Sequence, residues 1–259
     1  MTFAASREHN PEGHLIFPRD LKLRGEMGFL PPPGEVPHPA KANLHLIMDL
    51  VEHTTKPGQR VMDITAGSGT ILVACKMDRK VVCIELQKEY VDWMRRSAQA
   101  MKLAEMDYLI LQGDCREVLP VPCDAIIFSP PYSNLLNAAG GIIEREAKIK
   151  ASLNQYSNDP KNLGNLPEFR FNYAMRTVYQ KCQDSLPKGG LLTLLIKDIM
   201  HLGTVTPLGW QHVQMMGKDG WELAEWHKWA APGMQFKAIH KAKGHEVIET
   251  EHIIIMRKK

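Results

Sequence analysis

Between residues 60 and 85 the chain reads as strand, glycine turn, helix and strand, and no other feature narrows its possible folds so far. Arg60-Val61-Met62-Asp63-Ile64 has the apolar and β-branched make-up of a strand, residues 70–76 read as a helix, and Lys80-Val81-Val82-Cys83-Ile84-Glu85 reads as the next strand. The pattern then repeats. An amphipathic helix over 88–102 precedes strands at 108–111 and 125–128, and a helix over 169–186 leads through Pro187-Lys188-Gly189-Gly190 to a strand at 191–196. A helix over 208–217, a strand over 221–229 and a last strand from 245 or 246 to 256 end the chain as an antiparallel pair. Alternating units of this kind predict an α/β fold. Its sheet is mainly parallel, with helices on both faces and ligands gathered at the carboxyl ends of the strands.

The 259 residues suit one large domain with appendages, and 44% hydrophobic with 24% charged residues is globular composition. Residues 1–37 are polar, end in Pro31-Pro32-Pro33-Gly34-Glu35-Val36-Pro37 and read as an extended arm that wraps the core. From Pro39 a helical pattern sets in, with Leu44, Ile47, Met48 and Val51 on one face, and Lys56-Pro57-Gly58 ends it. The division expected is an arm at 1–37 and a main domain at 38–259, with insertions at 133–167 and 230–245.

No apolar run approaches the roughly 18 residues of a membrane span, the first residues lack a signal-peptide layout, and a cytoplasmic setting is expected. The five cysteines form no C-x-x-C pair and read as reduced core thiols, and no Cys/His cluster calls for a metal. A net charge of +3 points only weakly to nucleic acid, because clustering matters more than the total.

The chemistry lies at the strand ends. Asp63-Ile64-Thr65-Ala66-Gly67-Ser68-Gly69-Thr70 turns the first strand into the helix, and its small residues allow a ligand close to the backbone. The dinucleotide pattern G-x-G-x-x-G is broken by Leu72, which sets a nicotinamide dehydrogenase behind other readings. Glu85 ends the second strand, where a carboxylate suits ribose hydroxyls. Asp114 follows the third, where it could accept from an adenine amine. Ser129-Pro130-Pro131-Tyr132 follows the apolar run 125–128 and makes a rigid cup for a flat group bearing an amine.

On His38-Pro39-Ala40-Lys41, residues 63–70, Glu85, Asp114 and Ser129-Pro130-Pro131-Tyr132, the chain resembles the class I S-adenosylmethionine-dependent methyltransferases. Within them it is similar to the enzymes that modify exocyclic amines of DNA bases. The resemblance covers roughly residues 38–200. It implies a Rossmann-like, seven-stranded sheet with an antiparallel last strand, S-adenosylmethionine as cofactor, and DNA as partner, with the target base flipped out of a duplex or taken from a single strand.

Carried over, it places Asp63, Thr65, Ala66, Gly67, Gly69 and Thr70 around the methionine end of the cofactor, Glu85 on the ribose and Asp114 near the adenine. His38 and Lys41 match the segment that closes over the methionine end. The family commonly has D-P-F-A-G-S-G-T, whereas this chain has Ile64 and Thr65 at the second and third positions.

An aromatic amine is a poor nucleophile because its lone pair is delocalised. Acceptors on its two N–H bonds, here Ser129 Oγ and the Pro130 carbonyl, favour the pyramidal form that can attack a methyl group, with Tyr132 stacked on the base. Serine at the first position leads in the family to cytosine N4, with adenine N6 as the alternative. RNA amines, a protein glutamine amide and a catalytically silent scaffold come after these. Nucleic-acid contacts are expected from the insertion at 133–167, with Arg145, Lys148, Lys150 and Asn154, and from Lys237, Lys241 and Lys243. Lys197-Asp198 reads as a strand-end ion pair, with the base pocket as its alternative.

Overall fold

The computed structural model describes residues 2–29, 41–131, 159–201, 204–231 and 248–259. His38, Tyr132, the residues named above in 133–158, and Lys237, Lys241 and Lys243 lie outside these ranges.

In chain order, α1 (Leu21–Glu26) and α2 (Leu44–Thr54) precede β1 (Arg60–Asp63), a 3-10 helix (Thr70–Met77) and β2 (Lys80–Glu85). Then come α3 (Lys88–Ala100), β3 (Tyr108–Gln112), α4 (Cys115–Val118), β4 (Ala125–Phe128), α5 (Glu168–Ser185) and β5 (Leu191–Ile196). A small hairpin of β6 (Ile199–His201) and β7 (Thr204–Thr206) leads to α6 (Leu208–Lys218), and β8 (Trp221–Ala230) and β9 (Thr250–Lys258) complete the fold.

The seven-stranded sheet has the order β3-β2-β1-β4-β5-β9-β8. The strands from β3 to β5 run parallel, and β9 lies antiparallel between β5 and β8. The α/β architecture expected from the alternation is borne out. Because β4 and β5 are buried over nearly their whole length, they appear in sequence as unbroken apolar runs. One apolar core, with Leu50, Leu72 and Met94, fills the face under α2 and α3, and a second, with Phe128, Val178 and Trp221, fills the face under α5 and α6.

Several segments differ from the reading above, among them α4, which was not expected, and β9, which begins at Thr250 rather than at 245 or 246. Residues 70–77 wind as a 3-10 helix between two left-handed residues, Gly69 (φ 79) and Asp78 (φ 59). The β6–β7 hairpin was not legible, since three-residue strands are too short to show alternation. The amino-terminal segment carries α1 and buries Phe3, Leu15, Phe17 and Phe29.

That segment runs along the edge strand β8: Leu15 N donates to the Lys228 carbonyl and Ala230 N to the Leu15 carbonyl, both at 2.9 Å. Arg7 forks onto Asp49 of α2 at 2.5 and 2.6 Å, and Phe3 N donates to Glu225 Oε2 at 2.8 Å. An edge covered in this way presents fewer open backbone groups to other chains. The five cysteines are free thiols, and no helix among the described residues is long and apolar enough to cross a membrane.

The order of strands reverses between β1 and β4, and in a sheet of this kind the crevice opens at the carboxyl ends of the two strands that flank the reversal. Gly69 shapes the turn at that point. A Cβ added there would stand 2.4 Å from Met94 Cγ of α3, and its φ of 79 is strained for any side chain. Gly69→Ala is therefore expected to lower stability by about 2 kcal/mol. Urea denaturation would show this as a lower midpoint with an unchanged slope.

Candidate active site

A cleft opens at the β1/β4 reversal, and Lys41, Asp63, Thr65, Ala66, Gly67, Thr70, Glu85, Asp114, Ser129, Pro130 and Pro131 all line it. Ten of these eleven residues singled out from sequence are brought together by strand ends that the topology sets side by side, and Lys41 joins them from the segment before α2. Gly69 is different: it supports the turn from behind, against Met94. His38 and Tyr132 fall outside the described residues.

The turn after β1 is stitched to β2. Ala66 N donates to the Ile84 carbonyl at 3.0 Å, and Gly67 N, with φ 53, donates to Glu85 Oε2 at 2.7 Å. The other oxygen of Glu85 accepts from Gln87 N at 2.9 Å, at the entry to α3. Since Gly69 N also donates internally, to the Ala66 carbonyl, these small residues offer the cleft room rather than N–H donors.

Thr65, one of the departures from the family's usual motif, has a clear partner. Its Oγ1 donates to the carbonyl of Ser129 at 2.8 Å and so joins the turn after β1 to the loop after β4. Phenylalanine at this position has no hydroxyl to make that link. Thr65 N in turn donates to Asp63 Oδ1 at 3.0 Å.

Burial sets the electrostatics. Desolvation pushes the Asp63 carboxyl up to about 7, opposed by the Thr65 N–H and reinforced by Glu85. Glu85 is raised as well, by desolvation against the N–H bonds of Gln87 and Gly67. Desolvation lowers Lys41, and neighbouring Arg24 adds to the effect; the Lys41 ammonium lies 5.8 Å from the centre of the Trp93 ring. Among the described residues, burial and neighbouring acids raise Asp63 and Glu85, and a ligand with its own positive charge and hydroxyl donors suits such a pair.

Asp114, expected beside an adenine, caps α4 and is gripped by Arg116, whose Nε lies 2.9 Å and Nη2 2.5 Å from its Oδ2. Arg116 Nη2 also donates to the Lys161 carbonyl at 2.8 Å, tying this wall to the segment before α5. Both carboxylate oxygens of Asp114 are therefore already engaged from within the chain.

Several contributors were missed. Gln87, Tyr90, Asn162 and Leu163 line the cleft, and nothing in their spacing marked them. Arg24, only 4% exposed, reaches from α1 to Asp20 at 2.7 Å and to Thr70 Oγ1 at 3.2 Å, and it also donates to the Ala42 carbonyl. Asp20 is local to Arg24, but Ala42 and Thr70 lie 18 and 46 residues along the chain, where spacing gives no signal.

The sequence matches the N6/N4 methylase family, described as DNA methylase, over residues 9–96, which hold α1, α2, β1, β2 and most of α3. Among curated proteins none matches. Solved structures share the fold at low identity. TrmN from Thermus thermophilus is 17% identical with a TM-score of 0.51, covering 84% of this chain and 49% of its own, so the chain spans about half of that protein.

A methyltransferase from Pyrococcus furiosus is 14% identical with a TM-score of 0.50, covering 84% of this chain and 83% of its own. The cyclase SpnF is 16% identical with a TM-score of 0.52, covering 83% and 81%. A cyclase among these structures shows that the fold alone leaves the reaction open. Over residues 9–96 the chain is similar to the N6/N4 DNA methylases, and its seven-stranded sheet has the Rossmann-like fold of class I methyltransferases.

Proposed function

We propose that this protein is an S-adenosylmethionine-dependent methyltransferase acting on the exocyclic amine of a base in DNA, with cytosine N4 as the first target and adenine N6 as the second. The observation that carries the reading is the position of Ser129, Pro130 and Pro131 on the wall of the same cleft as Asp63 and Glu85, linked to the turn after β1 by the 2.8 Å bond from Thr65. S-adenosylmethionine, when bound, supplies a methyl group on a sulfonium sulfur.

The chain's own residues have two tasks. Asp63 and Glu85, at neighbouring strand ends, hold the charged and hydroxyl-bearing parts of the cofactor. Ser129 Oγ and the Pro130 carbonyl accept the two N–H bonds of the target amine and direct its lone pair along the line of transfer. The fixed φ of the two prolines holds those acceptors before the base arrives, which reduces the reorganisation needed on binding. Tyr132 is assigned the face of the base. A base inside a duplex cannot reach this cleft, so the substrate is a flipped-out or single-stranded nucleotide.

Nucleoside mass spectrometry of DNA incubated with the protein and labelled cofactor tests the reading. Labelled N4-methylcytosine is expected, labelled N6-methyladenine would select the second target, and label found only in RNA or protein would overturn DNA. Ser129→Ala should lower kcat on the order of a hundredfold with cofactor affinity unchanged.

Cofactor affinity should also depend on pH through Asp63. Its carboxyl, held at about 7, is largely protonated and neutral below that pH and becomes an anion above it. Affinity for a cationic cofactor should therefore rise as pH passes about 7 and level off beyond, with protons released on binding. Calorimetry in buffers of different ionisation enthalpy measures both. Asp63→Asn should flatten the profile, and a flat profile in the unaltered protein would remove Asp63 from this role.

A further inference from the structure

Away from the cleft, an exposed tryptophan is held by an unusually complete set of contacts. Trp210, in the first turn of α6, is 52% exposed, and its ring stacks on Trp226 of β8 with centroids 6.2 Å apart and planes 18° apart. Trp226 Nε1 donates to His252 Nδ1 at 3.0 Å. An indole nitrogen can only donate, so Nδ1 accepts, and the neutral imidazole carries its proton on Nε2, which lies 3.0 Å from Asp198 Oδ2.

The circuit closes on Trp210 itself. Asp198 Oδ1 accepts from Gly209 N at 3.1 Å, and a Cβ on Gly209 would stand 2.7 Å from the His252 ring, so only glycine lets α6 sit this close. Asp198, singled out from sequence as half of a strand-end ion pair, thus fixes the residue next to Trp210. Desolvation raises the Asp198 carboxyl, but the bonds it accepts from His252 and Gly209 N outweigh this and leave it below the usual carboxylate range.

A ring left half open to water and yet fixed from behind suits stacking. Phe169 and Tyr173, 83% and 72% exposed, lie one turn apart near the start of α5. A groove between α5 and α6 contains Asn172 and Arg176 on one side and Trp210 and Lys218 on the other. α5 lies between β4 and β5, and α6 follows β5 through the β6–β7 hairpin with Gly209 N bonded to Asp198 just past β5, so both begin at the carboxyl edge of the sheet, the edge at which Ser129 stands. Three exposed aromatic rings therefore lie in the first two turns of two helices on the same edge of the sheet as the cleft.

We propose that Trp210, with Phe169 and Tyr173, forms a stacking surface for the nucleotides that flank the target base, with Arg170 and Lys218 as phosphate contacts. The proposal rests on the nucleic-acid reading above and adds to it a binding surface built from α5 and α6. When a base leaves its stack its neighbours lose a partner, and aromatic side chains next to basic ones replace that partner without regard to sequence. The acids on this side do not oppose the assignment: Glu168 is half-buried, and Asp219 is neutralised by Arg176 at 2.6 Å.

The test uses the full chain and a fluorescein-labelled single-stranded oligonucleotide, followed by anisotropy. Trp210→Ala and the double variant Phe169→Ala/Tyr173→Ala should each weaken binding about tenfold, with cofactor affinity unchanged by calorimetry, and Trp210→Phe should retain most of it. The double variant alters only exposed side chains, so it stays informative even if Trp210→Ala loosens α6.

Wild-type affinity in both alanine variants would overturn the proposal. So would a change of oligomeric state on sedimentation with DNA affinity intact, because the face would then be a contact between protein chains. If the protein labels DNA while both variants bind normally, this surface is wrong and the methylation reading stands. If binding depends on Trp210 and no base is labelled, the surface stands and the methylation reading is lost.

Discussion

The buried carboxylate of Glu85 is the joint on which the cleft depends. One oxygen accepts from Gly67 N and the other from Gln87 N, so a single side chain fixes the turn after β1 and the entry to α3. With Ala66 N on the Ile84 carbonyl, hydrogen bonding between β1 and β2 continues past the end of β1 and into the turn. A carboxylate this far from water is tolerable because charge-assisted bonds to N–H groups replace part of its hydration. Without Glu85, two sheltered N–H groups would lose their partner, and the turn would no longer be held against the sheet.

From that joint the site extends by short links across neighbouring strands. Thr65 carries it from the turn to Ser129, and Arg116 carries it from Asp114 to the segment before α5. The same burial that raises the two carboxyls lowers Lys41. Each of these side chains gives up part of its preference for charge, and in so dry a place any charge brought by a ligand acts with less screening than at the surface.

Much of this architecture was legible in the sequence. The bounds of β2 and β5 agree to the residue with the apolar runs, because strands buried on both faces leave little ambiguity. The site was legible as strand ends: Asp63, Glu85 and Ser129 each follow such a run. What could not be read were partnerships across long separations. Arg24 was not singled out within its polar segment, Thr65 looked like a departure from a motif, and Asp114 like a ligand contact awaiting its adenine. Each is defined by a residue that one-dimensional spacing does not bring near it, or, for Asp114, by an arginine two positions on whose reach depends on the turn of α4. The winding of Thr70–Met77 was hidden for another reason, since 3-10 and α helices with buried apolar residues look alike in so short a stretch.

The seat of the amino-terminal segment has a consequence for the order of assembly. Leu15 pairs with backbone at Lys228 and Ala230, Phe3 with Glu225, and Arg24 with Thr70. The residues of this segment thus find several of their partners more than two hundred positions along the chain. Contacts of such separation form slowly, because a long loop must close before any of them is gained. The sheet from β1 to β5 can gather before Leu15 and Phe3 reach β8, while the Arg24 brace on Thr70 spans only 46 residues and can form with the early strands. The covered edge, rather than the cleft, is what waits for the far end of the fold.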